Sequence, residues 1–594
     1  MTGEATFVRL TAARVAVAVW VAFAAVMVWH KAPLPIGELL RGPDDHTRIV
    51  RVQQFVDGAG WYADRLQRVD PPHGAPLHWS RLPDLPLAAA YAAGSAWGGE
   101  AAGVRLAAIG VPLGLGLAAI LVTVWAARPL IGGAEVGAAA LVAVTAPNIL
   151  AFAPGRVDHH AWTILATVAG VGAVIRIGVR ARAAWRGAAA GGAAIAGGLA
   201  IAGASLQSLF ALNVGLGVLW LAHGRCVESG TRVFAASLGG TALALWPVSR
   251  APPAWDAVAC DAFSLPYVTV ALLVAVFWWL APLAARRGGL SRRLAVGGGL
   301  ALLGGAGLWW AFPACREGAL AAVPPDQWRT WLNHTNGLKP LWEHGWATIA
   351  QFAVPATVAL AGAGGLAWRD RDRRGIWLAA AAMLAVMMGL GAVSARASNL
   401  TLAFAVPVVT VLLVAVWHAC DRRLREPMRG VAILAVSLAI LAAPVWTHLA
   451  ATRLRDTGTN GAGASCDRAR LHDAVAPLRI HEPGIVAAEI FNGPFILTGT
   501  ARHAVLSVPY HRNVQGNRKG MAVFRADTAA DALRAVRRHG VAHLVVCEAG
   551  EPLGGAFVNA LPATRPAWLR RLDGPAGIGF AVYAVRAVDP PAVP

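Results

Sequence analysis

The chain has 594 residues, of which 57% are hydrophobic and only 14% charged, and its mean hydropathy is +0.53. A soluble protein carries roughly 25% charged residues, so the composition excludes a soluble fold and points to a polytopic α-helical membrane protein. The formal net charge of +20 suggests a nucleic-acid partner only at first sight, because much of the Arg excess sits in short clusters between apolar stretches.

A spanning helix needs about 20 apolar residues. Stretches of that kind lie near 11–30, 103–127, 132–150, 161–180, 188–205, 207–223, 232–248, 266–284, 294–312, 347–367, 376–393, 400–418 and 430–449, which makes about thirteen spans. Residues 11–30 have the length of a spanning helix, and no small-residue cleavage site follows. Alternate gaps hold the basic clusters Arg176–Arg186, Arg286–Arg293, Arg369–Arg374 and Asp421–Arg429. Basic loops stay on the cytoplasmic side. The chain is therefore expected to be multi-pass in a bacterial inner membrane, with a cytoplasmic N-terminus. The other gaps face the periplasm.

Segment 84–98 is apolar but short. Counting it as a span would put every later basic cluster outside, so it reads as an interfacial or re-entrant helix. The stretch AAAGGAAIAGGLAIAGAS suits close helix packing in lipid and is equally what a GC-rich genome would encode. The transmembrane domain is expected over 1–449, with outer loops at 31–100, 148–160 and 313–346, and a further outer segment at 249–265. Residues 450–594 alternate apolar stretches (GIVAAEIF, HAVLSVPY, VAHLVVCEA, GIGFAVYAV) with one helical stretch (TAADALRAVRRHG). That pattern predicts a periplasmic α/β domain with four or five strands.

Of six cysteines, Cys226 and Cys420 fall in inside loops and are expected reduced. Cys260, Cys315, Cys466 and Cys547 fall outside, where disulfides persist. Cys260–Cys315 and Cys466–Cys547 can pair there, and four free thiols are the alternative.

The first outer loop reads GPDDHTRIVRVQQFVDGAGWYADRLQRVDPPHGAPLHWSRLPDLP. Asp44 and Asp45 stand side by side, and Arg48 and Arg51 follow one helical turn apart. Polar groups held at the lipid boundary are expensive and usually functional, although either Asp could simply cap the helix. The second loop reads APNILAFAPGRVDHHAWTIL, with Asp158, His159 and His160 together. There Arg156 and Asp158 could equally form a local ion pair. Loop 313–346 carries Glu317, Glu343 and four tryptophans, Trp328, Trp331, Trp342 and Trp346. SARASNL places Arg396 at the outer end of a span. After 503–510 comes a polar turn with His511, Arg512, Asn513, Arg518 and Lys519.

An Asp, an Arg six residues later, a Gly–aromatic turn and a Pro-x-Gly…Trp stretch is similar to the first outer loop of oligosaccharyltransferase catalytic subunits, members of the GT-C superfamily of membrane glycosyltransferases. The matching residues are Asp45, Arg51, Gly60–Trp61, Asp64 or Asp70, and Pro72–Gly74 with Trp79. The resemblance implies catalysis at Asp45, with Asp44 as its neighbour; spacing to Arg51 favours Asp45. It implies substrate binding by Arg51, Trp79 and Arg396, the last as a planar, always charged grip on a lipid-linked phosphate. Apart from the resemblance, the polar turn with His511, Arg512 and Asn513 could hold sugar or phosphate if it folds under the membrane site, and a solvated loop is the alternative. The family's second loop helps to hold a divalent metal, which transfers to Asp158, His159 and His160, joined by Glu343. His in place of a second acid moves the preference from Mg²⁺ toward Mn²⁺.

The resemblance thus implies an inverting transferase that uses a polyprenyl-phosphate- or diphosphate-linked sugar and acts on an envelope glycan, lipid or protein. The family's Trp-Trp-Asp-x-Gly acceptor motif is absent from this chain, which argues against a reader of Asn-x-Ser/Thr. The chain also has no phosphate-binding Gly-rich loop, so no nucleotide cofactor is expected, and no nucleic-acid partner either. A transporter or flippase of lipid-linked glycans is the alternative. Transporters place ionisable groups near the bilayer midplane, whereas these spans are almost free of Asp and Glu.

Overall fold

The computed structural model describes residues 2–132, 136–180, 184–425, 427–432, 435, 466–575 and 577–586. Among them, nine helices are long and apolar enough to cross a membrane: Ala13–Lys31, Asp84–Ala127, His160–Gly178, Ser205–His223, Leu265–Ala284, Leu290–Ala311, Trp346–Arg369, Arg374–Val393 and Ala395–Arg423. At three other expected spans the helices are shorter or less apolar than a spanning helix. Residues 132–150 hold a ten-residue helix, Val136–Thr145, followed by the single-turn segment Pro147–Phe152. Ala184–Ile201 and Arg225–Ser249 are helical, but charges at their ends dilute their apolar character. The expected span 430–449 lies, apart from its first few residues, outside the described residues, as does the link to the C-terminal domain.

Segment 84–98 is the first arm of a bent helix. The helix that begins at Asp84 breaks at Gly98 and Gly99, the latter at φ +77°. The chain then doubles back, so that a Cβ at Gly94 would stand 2.8 Å from the Cα of Gly103. Two helical arms packed backbone to backbone need glycine on both sides of the bend. The Gly- and Ala-rich Ala184–Ile201 helix is likewise read by its packing. A Cβ at Gly192 would lie 2.2 Å from the carbonyl oxygen of Phe234, so close helix approach requires glycine there.

The C-terminal domain carries a five-stranded sheet of β3 (Ile485–Ala488), β4 (Ala504–Val505), β5 (Val541–Cys547), β6 (Leu569–Arg571) and β7 (Phe580–Val585), in the order β4-β3-β5-β7-β6. β3 runs parallel to β4 and β5, while β7 is antiparallel to β5 and β6. The expected helix in 528–540 is Ala529–Arg538, capped by the Thr528 side chain accepting from the Asp531 N–H. Both candidate disulfides are formed, Cys260–Cys315 and Cys466–Cys547, and Cys226 and Cys420 are free.

The first loop contributes two short antiparallel strands, β1 (Arg65–Leu66) and β2 (Ala75–Pro76). It also docks on the C-terminal domain. Val69 bridges Val505 in β4; the Asp70 N–H donates to the Val505 carbonyl at 2.8 Å, and the Val505 N–H to the Arg68 carbonyl at 2.9 Å. The Arg68 guanidinium donates to the carbonyls of Leu497, Thr500 and His503, and Lys519 pairs with Asp70 at 2.6 Å. Val50, Leu66, Val69, Leu77 and Trp79 share one apolar core with Leu471, Val486, Val505 and Tyr510. A large shared core and an edge-strand pairing make loop and domain one body.

Candidate functional site

The helix Pro43–Val56 starts by the rules of helix termini. Gly42 is extended at the N-cap, Pro43 occupies the first turn, and two acids lie beside the positive end of the helix. Asp45 completes the cap, its Oδ2 accepting from the Gly42 N–H at 3.0 Å. The same carboxylate reaches the second loop. Its Oδ1 accepts from the N–H groups of Val157 at 2.8 Å and Asp158 at 3.2 Å, and Arg156 approaches Oδ2 at 3.3 Å. Asp45 is fully buried. Burial pushes its carboxyl up to about 7 against the pull of Arg156. Asp158 is also buried. It accepts from Arg156 at 2.5 Å and from the His160 N–H at 2.8 Å. Burial pushes its carboxyl up, but His160, Arg156 and His159 outweigh that and hold it below the usual carboxylate range.

Asp44 points the other way and is half-buried. Its Oδ1 lies 3.0 Å from the Tyr510 hydroxyl, which is also 2.8 Å from Thr47 Oγ1. Burial pushes the Tyr510 hydroxyl well above its ordinary range, so it remains a donor. Tyr510 meets Trp79 edge-on at 5.1 Å, with the Arg48 guanidinium 4.4 Å over the Trp79 ring and His159 6.2 Å from it. His78 lies 4.7 Å from His511.

The remaining expected site residues divide by their surroundings. Arg51, with Arg48 and Arg81, surrounds the buried Asp84 at 3.3, 2.7 and 3.5 Å. Three guanidiniums on one carboxylate leave surplus positive charge behind Trp79, and among the described residues Arg48 Nε and Nη2 have no hydrogen-bond partner. His511 and Arg512 grip Asp261, the arginine through both nitrogens at 2.7 Å and the imidazole at 2.6 Å. Burial pushes the Asp261 carboxyl up, but these partners hold it far below its usual range. Asn513 is turned inward, donating to the Leu506 carbonyl and to Asn517. Arg396 is exposed in the first turn of Ala395–Arg423, and its charge reaches His78, His159 and His160. The charge of Asp44 reaches His160 too. Glu343 ends an exposed single turn, Leu341–Glu343.

The four residues expected to hold a metal do not assemble as one set. Among the described residues, the group that places three ligand atoms within 4.8 Å of one another is His78, Asp261 and His511. That is a possible metal site in composition, but Arg512 already takes both Asp261 oxygens. At the expected position, Asp158 and Asp45 spend their oxygens on Arg156 and backbone N–H groups.

Sequence reasoning passed over Tyr510, Asp261 and His78. Tyr510 closes an apolar strand pattern and reads as core, and Asp261 is an isolated acid beside a cysteine. Only the meeting of distant loops marks them out.

No family model and no curated protein matches the chain. The fold is nevertheless known. Over 90% of this chain and 69% of the other, it superposes on the archaeal oligosaccharyltransferase AglB from Archaeoglobus fulgidus, in complex with an inhibitory peptide and a dolichol-phosphate, with TM-score 0.67 and 15% identity. The chain has the fold of this archaeal oligosaccharyltransferase. A second structure of the A. fulgidus enzyme, complexed with Zn and sulfate, matches over 89% of this chain and 68% of that one, with TM-score 0.59 and 15% identity. ArnT from Cupriavidus metallidurans aligns over 96% of this chain and 97% of its own, with TM-score 0.43 and 14% identity, too weak to bear on the fold. In this fold, the first loop, the 261 loop, the 396 turn and the C-terminal domain meet at one place.

Proposed function

We propose that the protein is an inverting membrane glycosyltransferase. It takes a sugar from a polyprenyl-phosphate or polyprenyl-diphosphate carrier at the outer face of a bacterial inner membrane and passes it to an envelope glycan, lipid or protein. The observation that carries this reading is the convergence of Asp44, Trp79, His159, Arg396, Tyr510 and His511 from separate segments beside the ends of spanning helices. The AglB complex with dolichol-phosphate supports a lipid-borne phosphate as the ligand of such a fold. The inside bias of the basic clusters supports an outward-facing site and periplasmic C-terminal domain.

Asp44 is the base. It is half-buried, and Tyr510 engages one of its oxygens, which leaves the other to take the proton of an acceptor hydroxyl. Asp45 is enclosed and orders the loop that carries Asp158. The acceptor oxygen attacks the anomeric carbon opposite the phosphate. The sugar–oxygen bond breaks, and its electron pair leaves on the phosphate, where Arg396 stabilises the growing charge. Trp79 offers a ring face for a sugar. The divalent ion implied by the resemblance, Mn²⁺ or Mg²⁺, is given no step, because Arg156 and Arg512 already occupy the carboxylates that would hold it.

The test is release of polyprenyl phosphate from a radiolabelled carrier-linked sugar by the purified protein, compared with Asp44→Asn. Release by the wild type and its loss in the variant are expected. Undiminished release by Asp44→Asn would remove the base. Movement of intact carrier across liposomes without bond cleavage would favour the transporter.

A further inference from the structure

Arg156 occupies the place that the resemblance reserves for a divalent cation. We infer that its guanidinium is the resident cation of the Asp45–Asp158 pair, so that these two carboxylates are held together without metal. The inference does not depend on the proposed reaction.

Its basis is the count of lone pairs and charges. Asp45 takes three backbone N–H groups and one guanidinium nitrogen over its two oxygens. Asp158 takes the other guanidinium nitrogen and one backbone N–H. A planar fork bridging two carboxylates is geometry that Arg supplies and a point charge does not. A divalent ion binds carboxylate oxygens at roughly 2.0–2.6 Å and would have to displace that fork from a buried pair.

The second loop is built to deliver the fork. Gly155 sits at φ +87°, and a Cβ there would stand 1.7 Å from the Leu39 carbonyl oxygen. The Gly155 N–H donates to the Ala108 carbonyl at 2.7 Å. The loop is thus pinned against the first loop and the Asp84–Ala127 helix, one residue before Arg156. Both carboxylates are closed off, with side chains 0% and 2% exposed, while 27% of the Arg156 side chain remains open. Its partly open charge also acts on Asp44's side of the site, since each lies in the other's field. One residue therefore bridges the pair and offsets one of its two negative charges, while its open side faces solvent.

The experiment uses the full chain in detergent, with Mn²⁺ as the probe. Elemental analysis of the purified protein and Mn²⁺ titration followed by electron paramagnetic resonance are expected to show no stoichiometric ion at this pair. The melting temperature should be unmoved by EDTA or added Mn²⁺. Stoichiometric Mn²⁺ binding by the wild type that Asp158→Asn abolishes would overturn the inference. Arg156→Ala should melt at a lower temperature in EDTA and recover on adding Mn²⁺, because the vacated carboxylates become a cation site. An alanine variant as stable as the wild type in EDTA would also overturn it. Should Arg156→Ala fail to fold, Arg156→Lys keeps one charge without the bridging fork and should fold with a melting temperature below that of the wild type. A lysine variant as stable as the wild type in EDTA counts against the inference. None of these readouts involves sugar transfer, so this inference and the proposed function fail separately.

Discussion

Asp44 and Asp45 are neighbours with opposite surroundings, and residue-scale predictions follow from that difference. Asp44→Asn removes a half-buried proton acceptor and is expected to lower kcat by about 10²–10⁴-fold in a transfer assay, with the melting temperature unchanged. Asp45→Asn places an amide where four donors converge. Its NH₂ would face donors, and the expected first effect is a lower melting temperature. Tyr510→Phe keeps the ring against Trp79 and deletes one hydrogen bond to a charged group. Such a bond is worth about 1.5–3 kcal/mol, so kcat should fall roughly 10- to 100-fold with little change in KM. The concentration of charged and polar residues in the first loop, the second loop and at Arg396 could be read from residue type and position. The division of labour between Asp44 and Asp45 could not, because their different partners are supplied by residues more than a hundred positions away.

At the scale of elements, the joint between the first loop and the C-terminal domain decides what meets what. It contains a pair of histidines. His46 Nδ1 and His472 Nε2 both contact Thr498 Oγ1, at 2.5 and 2.8 Å, and the two rings lie 5.3 Å apart. Burial holds both imidazoles below their ordinary range, His472 at about 4. The depressed values mean that the unfolded state binds more protons between pH 6.5 and 4. Stability of the joint therefore rises with pH through that window and falls on acidification, by up to about 1.4 kcal/mol per pH unit for each group. Hydrogen exchange should show backbone protection around Val69 and Val505 falling as pH drops from 7 to 5. His472→Gln should flatten that dependence. Strands β3, β4, β5 and β7 and the Ala529–Arg538 helix were legible from their periodicity. β6 was not, since two of its three residues are exposed arginines and no apolar stretch marks it. The return at Gly98–Gly99 was legible only indirectly, through the charge of loops much further along the chain.

For the whole molecule, the two disulfides and the docked loops make one assembly of helices and sheet. Cys260–Cys315 ties the segment bearing Asp261 to the loop that begins at Pro313. Asp261 in turn holds His511 and Arg512, and Asp326 of the tied loop pairs with Arg518 at 2.8 Å. Cys315→Ala is expected to cost about 4 kcal/mol in the chain-entropy account of a loop of this length. That loss should appear as a lower melting temperature and as faster proteolysis of loop 313–346. Topology has its own test. Cys226 and Cys420 should react with a membrane-impermeant maleimide only after the membrane is permeabilised, and labelling of intact cells would reverse the orientation.

Composition and hydropathy by themselves determined a helical membrane protein with a terminal α/β domain, because apolar length and period are local properties of the chain. The Asp, Arg and His residues of the loops marked where chemistry was to be sought, since charge at a lipid boundary is costly wherever it occurs. Which carboxylate stays half-open, which arginine bridges two acids, and which tyrosine reaches across from the C-terminal sheet were decided only by the tertiary structure. Each of these depends on partners brought from far along the chain, and a buried charge takes its character from whatever group finally stands beside it.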